Sequence, residues 1–393
     1  MGTEKVVYLD YQSSKPVDPD VIAAMLPYMN EKFGNASSLH EVGDWSTEAL
    51  DASRKMIAKF INAKEPDEII FTSGATEANN LALIGFATRN KQKGKHIIIS
   101  EIEHISIHNI AKYLGKNGFE ISKVPVDFTG TVRLDKLAER IRPDTMLISV
   151  QHASNEIGTI QPIAEIGKLA REKGIAFHVD AVASEGQIPI DVQRDNVDML
   201  TLSSNDIYGP RGVGALYVRK GISLNPLIIG GGQERGLRSG TEDIAGIVGF
   251  AKAAEISMAS MAAESTRFQQ WRDQIIAKVL EIVPRSHLNG HKINRLPNNA
   301  HFRFDYIEGE SILISFKAKG VAVSTGSACS SKTLEPSHTL IALGLLHEEA
   351  HGSLEVTLGR WTTQQDVDKF LELLPGIVKR LRDLSPLTKK EEA

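Results

Sequence analysis

The chain has a single cysteine, Cys329, among 393 residues, so no intrachain disulfide can form. It has no excess of one charge either. The formal net charge is −4, with acidic and basic residues interspersed. A basic stripe of the kind that binds nucleic acid or an anionic membrane surface is missing, and the short run Lys91, Lys93, Lys95 reads as a solvated loop. No run of about 18 apolar residues stands out, so no membrane span is expected. Met1 to Val7 opens into a strand-like segment without the apolar stretch of a signal peptide, and a cytoplasmic location is expected. Internal repeats and low-complexity tracts are also missing. The charged tail Lys389 to Ala393 reads as frayed.

What remains is an ordinary globular composition, 41% hydrophobic and 24% charged, at a length that suggests one large domain plus a smaller one. Apolar runs at Glu68 to Thr72, His96 to Ser100, Thr145 to Val150, Ile175 to Val179, Met199 to Leu202 and Val213 to Val218 read as strands. Helical patterns lie at Ala75 to Arg89, Ile105 to Leu114 and Ile163 to Lys173. This alternation predicts an α/β fold, with a mostly parallel sheet covered by helices on both faces. Asp18-Pro19 reads as a helix cap followed by proline at the first helical position. A long helical pattern from about Thr241 to Val283 leads to a remainder, from roughly Pro284, that mixes strands and helices. The expected division is a large cofactor-binding α/β domain over 15–255, with 1–14 and 256–393 forming a small α+β domain.

Several short segments carry chemistry. Ser73-Gly74-Ala75-Thr76-Glu77 follows a strand and opens a helix, where free backbone N–H groups and a threonine hydroxyl suit an anion such as phosphate. An ordinary strand–turn–helix joint reads the same way. Phe177-His178-Val179-Asp180-Ala181 ends a buried strand in a carboxylate, at the edge where open α/β sheets bind ligands. That carboxylate can hold a ring nitrogen protonated, or it can cap the next helix. His104 and Asn155 follow neighbouring strands and come to the same edge. Gly230 to Thr241 is too glycine-rich and charged for a core; it reads as a loop of fixed shape at an interface, or as a solvated connector. Cys329 sits in Ser324-Thr325-Gly326-Ser327-Ala328-Cys329-Ser330-Ser331, a small and polar run that favours a working thiol over a packed one.

Taken in order, these segments resemble cysteine desulfurases of the NifS/IscS type, members of the fold-type I aminotransferase superfamily. The resemblance starts at Leu9-Asp10-Tyr11 and Pro16-Val17-Asp18-Pro19 and continues through Gly34 to His40, Phe71 to Asn80, Asn155 to Gln161 and Gly230 to Thr241. It closes with Ser327-Ala328-Cys329 and Leu358-Gly359-Arg360. It implies a homodimer that binds pyridoxal phosphate. Thr76 and Ser203, with Gly74 and Ala75, would meet the cofactor phosphate, and Thr241 would reach the phosphate in the neighbouring subunit. Asp180 would face the pyridine nitrogen, His104 would stack on the ring, and Asn155 would lie near the ring hydroxyl. Cys329 would take the sulfur as a persulfide.

The pattern breaks where the family has Ser-X-His-Lys before a Tyr-Gly-Pro turn. Here the segment is Ser203-Ser204-Asn205-Asp206-Ile207-Tyr208-Gly209-Pro210, which puts Asp206 at the Schiff-base lysine position and Asn205 at the histidine position. A carboxylate cannot form that bond. The turn pins the register, and the next lysine along is Lys220. Ala183 stands where the family has a glutamine, and Glu355 where it has the arginine that holds the substrate carboxylate. Opposed charges near 4 Å are worth about 4 kcal/mol at an effective dielectric near 20, so Glu355 would repel what that arginine attracts. The expectation is therefore an iron–sulfur cluster assembly protein that is inactive in desulfuration and holds pyridoxal phosphate, if at all, without a covalent bond. It would dock on a U-type scaffold, with Cys329 as a ligand of a shared [2Fe-2S] cluster or as a sulfur carrier. An active desulfurase and a pyridoxamine-phosphate enzyme are the alternatives.

Overall fold

The structure is a computed structural model and describes residues 6–325 and 336–386. The expectations for Ser327, Ala328 and Cys329 and for the tail Lys389 to Ala393 fall outside these residues.

The described strands are β1 (Val7–Tyr8), β2 (Ile69–Thr72), β3 (His96–Ser100), β4 (Glu120–Val124), β5 (Thr145–Ser149), β6 (Ala176–Asp180), β7 (Met199–Ser203), β8 (Gly214–Val218), β9 (Ser286–Asn289), β10 (Asn299–Phe304), β11 (Val321–Ala322) and β12 (Ser353–Thr357). Seven form the main sheet in the order β2-β8-β7-β6-β5-β3-β4. β8 runs antiparallel to β2 and β7, and the remaining neighbours are parallel. β4 is absent from the expected strands for a physical reason. Its sequence, Glu-Ile-Ser-Lys-Val, lies at the sheet edge, where only Val124 is buried, so it lacks the continuous apolar run that marks the inner strands.

The inner strands are buried throughout because both faces are covered. Ile98 joins one apolar cluster, with Phe71, Phe177 and Phe250. Its neighbours Ile97 and Ile99 join a second on the opposite face, with Leu83, Phe86 and Leu147. The period-two alternation of a strand sends successive side chains to these two layers. The helix Pro19–Asn30 begins as expected, with Asp18 capping and accepting from the Asp20 N–H. The run from Ala75 to Arg89 is helical throughout, but Leu81–Gly85 widens to a π-helical turn between two α-helical pieces.

A third apolar cluster holds Val7, Leu9, Phe302, Phe304, Phe316 and Phe370 around the sheet β12-β10-β9 and the β1–β11 pair. The helix Ile244–Ile282 contributes Ile247 and Phe250 to the large core and Phe268 and Ile275 to this one. It carries a window of mean hydropathy 1.3, apolar and long enough to match a membrane span by composition. The absence of any such segment expected from the sequence is corrected here. Half of that window is buried inside the protein, so the helix serves both cores.

Phe316 and Phe370 stack with centroids 5.2 Å apart, and both are fully enclosed. Phe370→Ala is expected to cost about 3–5 kcal/mol, read as a lowered denaturant midpoint of the small core's unfolding.

Candidate active site

The carboxyl ends of β2, β3, β5, β6 and β7 converge on a cavity of about 240 Å3 at the junction of the two cores. This is where the crossover connections of a parallel sheet leave room for a ligand. Ala75, Thr76, His104, Asn155 and Asp180, all expected from the sequence, line it, as do Ala183, Asp206 and Glu355.

The turn after β2 is set by Gly74, whose φ of 142° only glycine adopts readily. The backbone of β8 also lies against it: a Cβ on Gly214 would meet the Gly74 Cα at 2.7 Å. The helix start at Ala75 is thereby aimed into the cavity. Asp180, the last residue of β6, is held by the Asn79 amide, whose Nδ2 donates to Oδ2 at 2.8 Å, and by the Val182 N–H at 3.1 Å. Behind His104, Glu103 is fully enclosed, with Oε1 accepting from Ser100 and from the Gln151 N–H. Burial pushes the Glu103 carboxyl up to about 8.

The floor is formed by the turn after β7. Asp206 is buried, and the side chains of Ser203 and Asn205 hydrogen-bond its carboxylate. Lys15, from the segment after β1, donates to the Asp206 carbonyl oxygen and brings its ammonium within 3.9 Å of the carboxylate. Burial raises the Asp206 carboxyl above its ordinary value, and Lys15 opposes that rise. Arg360 stacks over the Tyr208 ring at 4.3 Å and is itself neutralised by Asp18 at 2.6 Å and Glu264 at 2.7 Å. Its guanidinium is therefore committed to structure.

At the small-core side, Glu355 of β12 accepts from the Asn299 amide at 3.1 Å. Burial, and secondarily Glu156, raise its carboxyl well above the ordinary range. Glu156 is raised to about 7 by burial. Two enclosed carboxyls this near each other favour the protonated form, since an unpaired buried charge is costly.

Three expected residues stand elsewhere. Ser203 is buried beneath the cavity, its hydroxyl turned to Asp206, and Gly74 shapes the turn without lining the cavity. Thr241 is exposed and does not line this chain's cavity; the resemblance assigns it to the neighbouring subunit. Cys329 lies outside the described residues. Sequence reasoning missed Gln12, Ser13, Asn79, Ser106, Gln151, Ser324 and Thr325 along the wall, and Lys15 below it. Lys15 had one signal: a lysine in Ser13-Ser14-Lys15-Pro16 just ahead of a capped helix.

Pyridoxal phosphate, which the resemblance implies, fits these residues in part. The free N–H groups at the helix start and Thr76 suit its phosphate, and Asp180 suits a protonated ring nitrogen. For covalent attachment nothing fits, because among the described residues no lysine lines the cavity and position 206 offers a carboxylate. The ring and phosphate have a seat, while the aldehyde carbon has no amine.

Glu103 predicts a pH dependence. Its folded value of about 8 lies above the ordinary carboxyl value of 4.5, so the folded state holds a proton that the unfolded state has released. Its contribution to stability is full below about 4.5 and is lost as pH rises through about 8. Glu103→Gln is expected to flatten the fall in stability over that window, as measured by denaturant titration at several pH values.

Residues 7–370 match the family Aminotransferase class-V. The chain is 58% identical over 383 residues to "Cysteine desulfurase IscS 1" of Archaeoglobus fulgidus, covering 98% of this chain and all of that one. It is 51% identical over 387 residues to "Cysteine desulfurase IscS" of Methanosarcina thermophila, covering 98% of this chain and 95% of the relative. A solved structure of a NifS-like protein superimposes with a TM-score of 0.90 at 34% identity, covering 96% of this chain and all of that chain. The α/β fold-type I architecture expected from the sequence agrees with these likenesses. The chain belongs to the class-V aminotransferase family, among the cysteine desulfurases of the IscS/NifS type.

Proposed function

We propose that this protein serves iron–sulfur cluster assembly through the loop that bears Cys329, and that its own cavity does not desulfurate cysteine. The observation that carries the reading is the buried Asp206 carboxylate, at the position where the register set by Tyr208-Gly209-Pro210 requires an amine. Glu355 supports it from the opposite wall, since a carboxyl there cannot attract an amino acid's carboxylate. On this reading pyridoxal phosphate binds without a covalent bond or not at all. The protein, as a homodimer, docks on a U-type scaffold, and Cys329 completes the ligand set of a [2Fe-2S] cluster or carries sulfur supplied by another donor. A thiolate is a soft ligand suited to cluster iron.

An active desulfurase is the second reading. The names borne by the relatives favour it, including the one at 58% identity. The two readings divide on a single assay.

Incubated with pyridoxal phosphate, cysteine and a reductant, the purified protein is expected to form no alanine above the protein-free control. Alanine in catalytic amounts would establish the second reading. For the assembly role, Cys329→Ala is expected to lower the cluster occupancy of the scaffold complex several-fold, measured as iron and sulfide per complex. Unchanged occupancy would remove Cys329 from that role.

A further inference from the structure

Asp206 and Glu185 are both enclosed carboxyls beneath the cavity, and Asp180 lies beside them on the neighbouring strand. Among the described residues one amine serves this group, that of Lys15; burial lowers it below its ordinary value, and Asp206 and Glu185 oppose that fall. Lys15 is enclosed, donates to the backbone of residue 206, and keeps its Nζ 3.9 Å from the Asp206 carboxylate. Its other charged neighbours are Glu185, Arg360 and Glu264. Lys15 does not itself line the cavity, whereas Asp206 does. The cation is behind the carboxylate, and the carboxylate faces the ligand.

A second, independent observation concerns the neutral wall. Asn79 lines the cavity and is almost fully enclosed; its Nδ2 is spent on Asp180 and Ser106, and its Oδ1 has no partner. Since a carboxylate only accepts, the Asn79 amide cannot be turned round. Asn205 donates to Asp206 and likewise leaves its Oδ1 without a partner. Beneath them, Glu185 Oε2 has no partner among the described residues, and burial raises that carboxyl well above the ordinary range. Buried acceptors without donors are costly. Among the described residues the lining contains no lysine or arginine, so a ligand that carries donors would satisfy these acceptors.

We infer that Lys15 is a positioning residue that holds Asp206 as an anion facing the cavity, and that the cavity therefore takes the amine form of the vitamin B6 phosphate in preference to the aldehyde form. This rests on the reading that the cavity makes no covalent bond to the aldehyde. It goes further in naming the ligand's reactive group and the residue that selects it. An ammonium gains the Asp206 carboxylate as a charge-assisted acceptor. An aldehyde brings another acceptor to a site that already has an excess of them.

The test is equilibrium binding of pyridoxamine phosphate and of pyridoxal phosphate to the purified full-length protein, followed by intrinsic fluorescence, with borohydride reduction and peptide mass mapping alongside. The unmodified protein is expected to bind the amine form at least about tenfold more tightly and to yield no reduced adduct. Lys15→Met/Asp206→Asn, a pair without charge, is expected to lose that preference; should it not fold, Asp206→Asn alone carries the same test. Lys15→Met separates positioning from mere structure. It leaves Asp206 facing Asp180 and Glu185 without a cation, so the pH above which the amine is preferred should rise by about one unit or more. Equal or tighter aldehyde binding without an adduct, a preference that survives Asp206→Asn, or an unmoved pH profile in Lys15→Met would overturn the inference. A reduced adduct on Lys15 or any other lysine would instead overturn the non-covalent reading beneath it.

Discussion

A carboxylate enclosed by protein must find a cation, find hydrogen-bond donors, or take up a proton. The cavity is organised by that constraint more than by any other. Asp180, Glu185 and Asp206 share one end of the sheet, Glu103 lies behind its wall, and Glu156 and Glu355 close the side toward the small core. Each has met the constraint differently. Asp180 is held by an amide and a backbone N–H. Asp206 has Lys15. Glu103, Glu156, Glu185 and Glu355 are raised by burial toward the protonated form.

The fold was largely legible in the sequence, and the reason is mechanical. Inner strands covered on both faces bury every position and are mostly apolar, as β3, β5, β6 and β7 are. A strand with only one buried residue gives no such signal, and β4 was accordingly missed. The candidate site was legible at those positions whose chemistry the backbone sets: Asp180 at a strand end, Thr76 at a helix start, His104 after a strand. Lys15 was not legible. Its partner lies 191 residues away along the chain, and no local pattern announces that a lysine beside a proline will be enclosed under a turn after β7. Asn79 was hidden for the opposite reason, since in sequence it reads as one more helical residue.

Fold and site therefore carry different amounts of information about function. A TM-score of 0.90 to a NifS-like protein establishes the architecture, and an architecture hosts many chemistries. The identity of two side chains, at 206 and 355, decides whether the cavity can attach an aldehyde and hold an amino acid's carboxylate. Neither change disturbs the sheet. Asp206 keeps its place through Lys15, Ser203 and Asn205, and Glu355 keeps its backbone pairing with Ser324. The fold accommodates both carboxyls because each is given partners or a proton.

The same bookkeeping ties the cavity to the segment that carries the thiol. Residues 326–335 leave the described structure after Thr325 and return at Pro336. On the near side, Ser324 pairs its backbone with Glu355; on the far side, the side chains of Ser337 and Thr339 hydrogen-bond Glu156. Asn299 of β10 joins the two, its Nδ2 donating to the Glu156 carbonyl oxygen at 3.0 Å and to Glu355 Oε1 at 3.1 Å. Ser324 is thus tied to the backbone of Glu355 and Ser337 to the carboxyl of Glu156, two residues of one seam between the cores. Were Glu355 an arginine, that seam would hold an opposite pair with Glu156, and the cavity wall would be cationic. With two carboxyls it must instead hold a proton, and the described wall there is then neutral or anionic.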